Sequence, residues 1–382
     1  LKNMLCLNSG SSSLKFAVYR VDAAGEELQA HGAVERIGLS DGRLWVEARE
    51  RRSERTADFV THRLALEAAL AALEQLAPPD VDGVGHRLVS GGPRYFDPVR
   101  IDAQVRTNLG ACVPFAPLHL PAALSVIDAV SATSGVPQIA CFDTAFHRTM
   151  PERATRLPLP RTYWDEGLRN YGFHGLSFEY IVGELGGAPG RTVIAHLGNG
   201  ASLAAVRDGK SVDTTMGLTP TAGLIMGTRS GDIDPGVLLY LMNEKQLDAA
   251  SLERLLNTSS GLLGISGSSS DMQTLLDLSA TDPRAAVAVE LFCYSARKHI
   301  AAMSAALEGI ETLVFTGGIG ERAAPIRARI CLGLQYLGIE IDPEANARDE
   351  RSIGNGAMAV RTLVIPTDEA RMIARHSFGL LR

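Results

Sequence analysis

Met4-Leu-Cys-Leu-Asn8-Ser-Gly-Ser11-Ser-Ser13-Leu-Lys15-Phe-Ala-Val-Tyr19 reads as an apolar strand, a turn of small polar residues and a second strand. The same plan returns at Thr192-Val-Ile-Ala-His196-Leu-Gly-Asn199-Gly200-Ala-Ser202-Leu-Ala-Ala-Val206. A turn rich in glycine and hydroxyls directs backbone N–H groups and side-chain donors into one small space, which suits an anion such as phosphate. Two such hairpins imply duplicated halves, each gripping one side of a nucleotide. Phosphate handling is the leading reading.

Between and after the hairpins, strands alternate with helices. Helix 62–77 precedes a strand over Val81–Val89, and a Pro-started helix from Pro121 to Ser134 leads to the buried strand Gln138–Phe142, which ends at Asp143. This alternation indicates an α/β sheet with ligands at the carboxyl ends of strands. A loop rich in Pro and Arg (Pro151 to Pro160) opens the second half, and a long Gly/Thr/Met loop runs from Asp213 to Pro235. A helix over Arg284–Leu307, the strand Thr312–Phe315, the turn Thr316-Gly-Gly-Ile-Gly-Glu321 and the strand Arg361–Ile365 follow. Strand, glycine turn and helix is nucleotide architecture.

Composition excludes several classes. A length of 382 residues favours two domains. A net charge of −6 without a basic stripe argues against nucleic acid. The run Arg49–Arg55 mixes both signs and reads as a solvated hairpin arm. Five scattered cysteines lack C-x-x-C spacing, so neither zinc nor a disulfide framework is expected, and reduced thiols suit the cytoplasm. The first apolar run reaches its polar turn at Asn8, so no signal peptide is expected, and Glu67 and Glu74 mark Leu64–Ala77 as an amphipathic helix rather than a membrane span. Walker-A, protein-kinase and G-x-S-x-G patterns are missing from the sequence, and the first turn lacks G-x-G-x-x-G before a helix. What remains is a set of loop-borne cations and donors: Arg87, His119, His174, His196 and Arg229, each near Gly or Pro.

These blocks, together with Gly85-His-Arg87, Ala116-Pro-Leu-His119, Phe142-Asp-Thr-Ala-Phe-His147, Tyr171-Gly-Phe-His-Gly175, Met216-Gly-Leu-Thr-Pro220 and Met226 to Pro235, resemble the acetokinase family over nearly the whole chain. That family lies within the acetate and sugar kinase, Hsp70 and actin superfamily. The resemblance implies a duplicated actin-like (ribonuclease H-like) α/β fold, with domains at 1–145 plus 370–382 and at 146–369 and an active-site cleft between them. The second domain would bind nucleotide and form a homodimer. The implied reaction is ATP- and Mg²⁺-dependent phosphorylation of acetate, reversible as acetyl phosphate plus ADP, with Mn²⁺ able to replace Mg²⁺. By motif position, Asn8 and Glu369 would serve the metal and Arg87 and His119 the carboxylate. Asp143, His174 and Arg229 would be catalytic, and Val89, Leu118, Phe173 and Pro220 would line the acyl pocket. Nucleotide contacts would come from Ser13 and Lys15, from His196, Leu197, Gly198, Asn199 and Gly200, from Asp271, Met272 and Gln273, and from Gly317, Gly318, Ile319, Gly320 and Glu321.

The chemistry suits these residue types. A carboxylate, with a pKa of roughly 4 to 5, is ionised at neutral pH and needs no base to attack. The obstacle is an anion approaching a polyanion, so cations and positioning should carry catalysis. Asp143 then acts by orienting a partner or a metal-bound water. The chain departs from the family pattern at Ser90, Pro93, Leu120, Leu176, Phe178 and Gln273, which leaves propionate or butyrate open as acceptor and pyrophosphate open as donor. A nucleotide-driven binding protein of the Hsp70/actin type is the rival from another class. The presence of Arg87 and Arg229 together argues against it.

Overall fold

Both hairpins form, and each seeds a sheet. The computed structural model describes residues 1–49, 51–76 and 80–382 and divides into two units, Leu1–Ala145 with Asp368–Arg382 and Phe146–Thr367. In the first unit the strands are β1 (Lys2–Ser9), β2 (Ser13–Val21), β3 (Glu26–Glu35), β4 (Gly42–Ala48), β5 (Arg51–Ala57), β6 (Gly83–Leu88), β7 (Val99–Arg100) and β8 (Gln138–Phe142). They lie in the order β5-β4-β3-β2-β1-β6-β8-β7. The second unit has β9 (Arg191–Leu197), β10 (Ala201–Arg207), β11 (Lys210–Thr214), β12 (Thr312–Thr316) and β13 (Arg361–Val364), in the order β11-β10-β9-β12-β13.

The duplication is visible in strand direction. β1 runs antiparallel to β2 and parallel to β6, and β6 runs parallel to β8. β9 likewise runs antiparallel to β10 and parallel to β12, and β12 parallel to β13. This is the duplicated actin-like α/β arrangement. β8 and β12 are buried at every position, as parallel strands covered on both faces must be. β5 is an edge strand, and its charged residues are exposed, with Arg43–Glu54 and Arg52–Glu47 ion pairs across β4 and β5.

Helices cover the sheets through period-3.6 apolar stripes. Helix α1 (His62–Gln75), capped by the Thr61 side chain accepting from Leu64 N, buries Ala65, Leu66, Ala69, Ala72 and Leu73. It ends before the expected position 77, which lies outside the described residues. Helix α2 (Leu120–Thr133) adds Val126, Ala129 and Val130 to the same core. The chain returns to the first unit at Asp368, two residues earlier than the expected 370, so Glu369 belongs to the first unit and not to the second. The last helix, Glu369–Leu380, lies tightly on β6. A Cβ on Gly85 would sit 2.3 Å from Ser377 Oγ and 2.4 Å from Ile373 Cγ2. That close approach sets Glu369, the helix's first residue, beside the end of β6. The Pro151–Pro160 segment, expected as a loop, contains a helical turn at Glu152–Thr155.

Candidate active site

In the first unit, three parallel strands end side by side. Asn8 on β1 pairs in register with Arg87 on β6, and Asp143 follows β8 with its N–H donating to Leu88 O at 3.0 Å. Their side chains form one cluster with Glu369. Arg87 Nε donates to Asp143 Oδ1 (2.9 Å) and Oδ2 (3.1 Å), and Nη2 donates to Oδ2 (2.6 Å). Nη1 donates to Asn8 Oδ1 at 3.1 Å and lies 3.5 Å from Glu369 Oε2. Asn8 Nδ2 in turn donates to Glu369 Oε2 at 3.3 Å. Burial alone would lower the Arg87 pKa, but the charges of Asp143 and Glu369 outweigh it and raise it overall, so the guanidinium stays charged. Lys15 stands across from Asn8 in the β1–β2 register and is exposed, and Ser13 closes the turn by accepting from Gly10 N at 2.8 Å.

This cluster offers hard oxygen donors: the Asn8 amide oxygen and the Glu369 and Asp143 carboxylates. Two carboxylates and an amide, one carboxylate already held by arginine, do not make a closed protein cage. They fit Mg²⁺, which keeps several waters and is completed by substrate phosphates. Val89, two residues beyond Arg87, is half-buried against the core around Leu88 and Phe142. Leu118 is 40% exposed, and His119 precedes the first turn of α2.

The second unit gathers a different set around Asn199 and Gly200. The rings of His174 and His196 stack with centroids 4.3 Å apart. Hydroxyls hold both rings by Nδ1: Ser202 Oγ at 2.8 Å for His174 and Ser177 Oγ at 2.8 Å for His196. Thr367 Oγ1 donates to Ser177 Oγ at 2.8 Å and extends the chain. His174 has φ +59°, a left-handed conformation that costs a non-glycine residue on the order of 1 kcal/mol. Strain of this kind persists where surrounding bonds hold it, and here it aims the ring at Gly200. A Cβ on Gly200 would lie 2.5 Å from Arg229 Nη2 and 3.4 Å from His174 Nε2. Only glycine lets the turn, the guanidinium and the imidazole converge. Arg229 Nη1 donates to the buried Pro220 carbonyl at 2.6 Å. Gly227 N donates to Asn199 O at 3.0 Å and ties the arginine's loop to the hairpin.

The remaining nucleotide candidates border this group. A Cβ on Gly317 would meet Leu197 backbone atoms at 2.8–3.0 Å, and one on Gly198 would come within 4.0 Å of Gly318 N. The segment expected as a glycine turn is instead a short helix, Gly317–Arg322, that follows β12 directly with Thr316 at its N-cap, and its Gly317–Gly320 face, with Ile319, abuts the hairpin. Glu321 faces inward, accepting from Gly317 N (2.9 Å) and Thr367 N (3.1 Å), so the start of this helix presents main chain rather than carboxylate. Asp271 caps the helix Met272–Leu278 by accepting from Thr274 N at 2.8 Å; Met272 is buried, and Gln273 donates to Asp277 Oδ1 at 2.9 Å. Phe173 is fully buried, its carbonyl accepting from His147 Nε2 at 3.0 Å.

Sequence reasoning did not single out Ser177, Ser202, Thr367 or Arg327. Ser202 had a signal, since it pairs in register with His196 within the quoted hairpin. Arg327 had none. It is fully buried and donates to Gly320 O (2.9 Å), Glu321 O (2.9 Å), Asn346 Oδ1 (2.7 Å) and Asn346 O (2.8 Å), with an ion pair to Asp349, and so fixes the C-terminal end of the helix Gly317–Arg322.

A model of the acetokinase family matches residues 3–375. An acetate kinase of Methylocella silvestris is 44% identical, with 99% of this chain and 98% of that protein covered. A crystal structure of Porphyromonas gingivalis acetate kinase superposes with a TM-score of 0.88 at 37% identity, covering all of both chains. A propionate kinase from Francisella tularensis superposes at 0.92 with 35% identity, over 99% of this chain and all of that one.

Proposed function

The chain belongs to the acetokinase family, and on that premise we propose that it transfers the γ-phosphoryl group of ATP to acetate, reversibly and in line, giving acetyl phosphate and ADP. The first unit's cluster takes the acceptor and the metal. Arg87 binds the carboxylate, with His119 beside it, and Asp143 orients Arg87 rather than moving a proton. Asn8 and Glu369 hold Mg²⁺, which when bound neutralises charge on the phosphates. The second unit's cluster takes the donor. The 196–200 hairpin, the Asp271–Gln273 segment and the Gly317–Glu321 helix start hold the nucleotide, and Arg229 and His174 stabilise charge on the equatorial oxygens as the phosphoryl group moves.

The convergence of Arg229 Nη2 and His174 Nε2 on Gly200 carries this reading. Two fixed donors around a missing side chain suit a group that develops charge only in the transition state. The test is hydroxamate trapping with Mg-ATP and acetate, propionate or butyrate. Absence of acyl hydroxamate with all three would overturn it. Propionate is the second candidate acceptor, favoured by the similarity to the Francisella tularensis propionate kinase; the ratio of kcat/KM values decides.

A homodimer through the second unit is part of the proposal. Helix Pro235–Glu244 buries none of its residues although it carries Val237, Leu239, Tyr240 and Met242, all at least 40% exposed. Exposed Val287 and Tyr294 add to the apolar surface of this unit. Exposed apolar patches of this kind mark association sites, and sedimentation at micromolar concentration tests it. A reducing compartment such as the cytoplasm fits the five cysteines, all buried and outside any disulfide. Among the described residues no helix is long and apolar enough to cross a membrane.

A further inference from the structure

The loop that carries Arg229 leaves at Gly223 and returns at Asp232, and these two residues close its neck. Asp232 N donates to Gly223 O at 2.9 Å, and Gly223 N donates to Asp232 Oδ1 at 2.7 Å. Within the loop, Met226 N donates to Arg229 O at 3.1 Å, and Leu262 N donates to Met226 O at 2.8 Å. A shift at the neck is therefore passed along a short, strapped segment to the guanidinium.

The second carboxylate oxygen of Asp232 faces His299, on the long helix Pro283–Ala306. Asp232 Oδ2 lies 3.3 Å from His299 Nε2, and Ser295 O lies 2.8 Å from His299 Nδ1. A carboxylate and a carbonyl can only accept. Both contacts are satisfied together only by an imidazolium, which donates from both nitrogens; either neutral tautomer turns a lone pair toward one acceptor. A cavity of 440 Å³, lined by Gly223, Tyr294 and Lys298 together with this pair, borders the ring. The charged groups acting on His299 are Asp232, from the loop, and Lys298, beside it on the helix. Burial lowers the His299 pKa, but the Asp232 hydrogen bond and the Ser295 carbonyl outweigh it and raise the value above the ordinary 6.5.

We propose that His299 is a protonation-dependent positioning residue for Arg229: as the imidazolium it fixes Asp232 and the neck of the 223–232 loop, and as the neutral ring it releases them. The proposal rests on Arg229 acting on the phosphoryl group. Because the folded-state pKa is raised, the grip is complete below pH 6.5 and is lost as pH rises through the folded value. Asp232 is 66% and His299 21% exposed, so the pair is a modest one. Its release should cost about two- to fivefold in kcat, the range such pairs carry, with KM for acetate nearly constant.

The test compares kcat–pH profiles of the wild type and His299→Gln, whose amide donates to Asp232 without titrating. Relative to His299→Gln, the wild type should lose two- to fivefold across the titration of His299. An NMR titration of the His299 ring should give a value above 6.5 that falls in Asp232→Asn. Superimposable kcat profiles would overturn the proposal, as would a ring pKa at or below 6.5. A failure of the Arg229 reading is separate: it would appear as near-normal kcat in Arg229→Ala, whatever His299 does.

Discussion

Asp143 grips one edge of the Arg87 guanidinium, with Nε 2.9 Å from Oδ1 and Nη2 2.6 Å from Oδ2, and its carboxylate is 1% exposed. A bidentate pair in this geometry leaves the arginine no rotational choice and directs Nη1 toward Asn8 and Glu369. A carboxylate so engaged is poorly placed to shuttle protons. It is well placed to aim a cation.

The Asp143→Asn variant should therefore weaken the hold of Arg87 on the acetate carboxylate. Its amide nitrogen would face a guanidinium that can only donate. Breaking a buried pair from one side costs about 3–5 kcal/mol, so both stability and kcat/KM should fall. A double-mutant cycle with Arg87→Ala separates the roles. If Asp143 acts through Arg87, the double variant is little worse than Arg87→Ala alone. Fully additive losses in kcat/KM would show an independent role.

Arg229→Ala should lower kcat by two or more decades, on the order of 3 kcal/mol, with a smaller effect on KM for acetate. Gly200→Ala should move kcat the same way, since the new methyl would lie 2.5 Å from Arg229 Nη2. Steady-state kinetics on both variants decide this. A Gly200→Ala enzyme with unchanged kcat would place the guanidinium's working position elsewhere.

Arg327 is a structural counterpart to these sites. Replacement by Met leaves Gly320, Glu321 and Asn346 carbonyl groups buried without their donor, each worth about 1–3 kcal/mol. We expect Arg327→Met to lower the unfolding midpoint of the second unit and to raise KM for ATP. Arg327→Lys should recover only part of either, since one ammonium cannot reproduce the guanidinium fork. Nucleotide KM unchanged in a folded Arg327→Met enzyme would separate the Gly317–Arg322 helix from nucleotide binding.

Much of this architecture was legible in the residues because it depends on local pattern. The paired hairpins and the strand ending at Asp143 are each written in a few adjacent positions, whereas the glycines after β12, which read as a turn, already belong to the helix Gly317–Arg322. Side-chain partnerships were less visible. Ser177 sits on a helix, where a serine looks solvated, yet it holds the His196 ring. Arg327 and Arg329 are alike in sequence, but only the first is fully buried. Glu369 is expected in the second unit; Pro366 and the Asp368 cap mark where the last helix begins, but not which unit it packs against. Helix Pro235–Glu244 has the apolar content of a core helix and buries nothing. Each of these depends on what lies across the fold.

Acyl-chain selection should respond to Val89, which follows Arg87 at the end of β6 and is only half-buried against the core. Each methylene is worth about 1–3 kcal/mol of discrimination. Val89→Ala should raise kcat/KM for propionate and butyrate relative to acetate. An unchanged ratio would remove Val89 from the acyl site.

Acid should destabilise both units through buried neutral histidines. His86, beside Gln138 Oε1 at 2.7 Å, and His147, donating from Nε2 to Phe173 O, are pushed down by burial to about 4. In the unfolded chain they titrate near 6.5. Between about pH 6.5 and 4 the unfolded state binds more protons than the folded one, so stability falls as pH falls through that window. Below about pH 4 the contribution is gone. The full effect is at most about 3 kcal/mol per histidine. Urea midpoints measured from pH 7 to 5 should decline in the wild type, and His86→Gln should flatten the decline for the first unit. An identical slope in that variant would mean the imidazole is already protonated inside the fold. The second unit adds a functional consequence, because His147 holds the carbonyl immediately before the strained His174. Protonating His147 puts a proton on Nδ1, so that nitrogen can no longer accept from Ser211 Oγ, now 2.8 Å away. Activity should therefore fall before global unfolding, and His147→Asn should lose kcat even at pH 7.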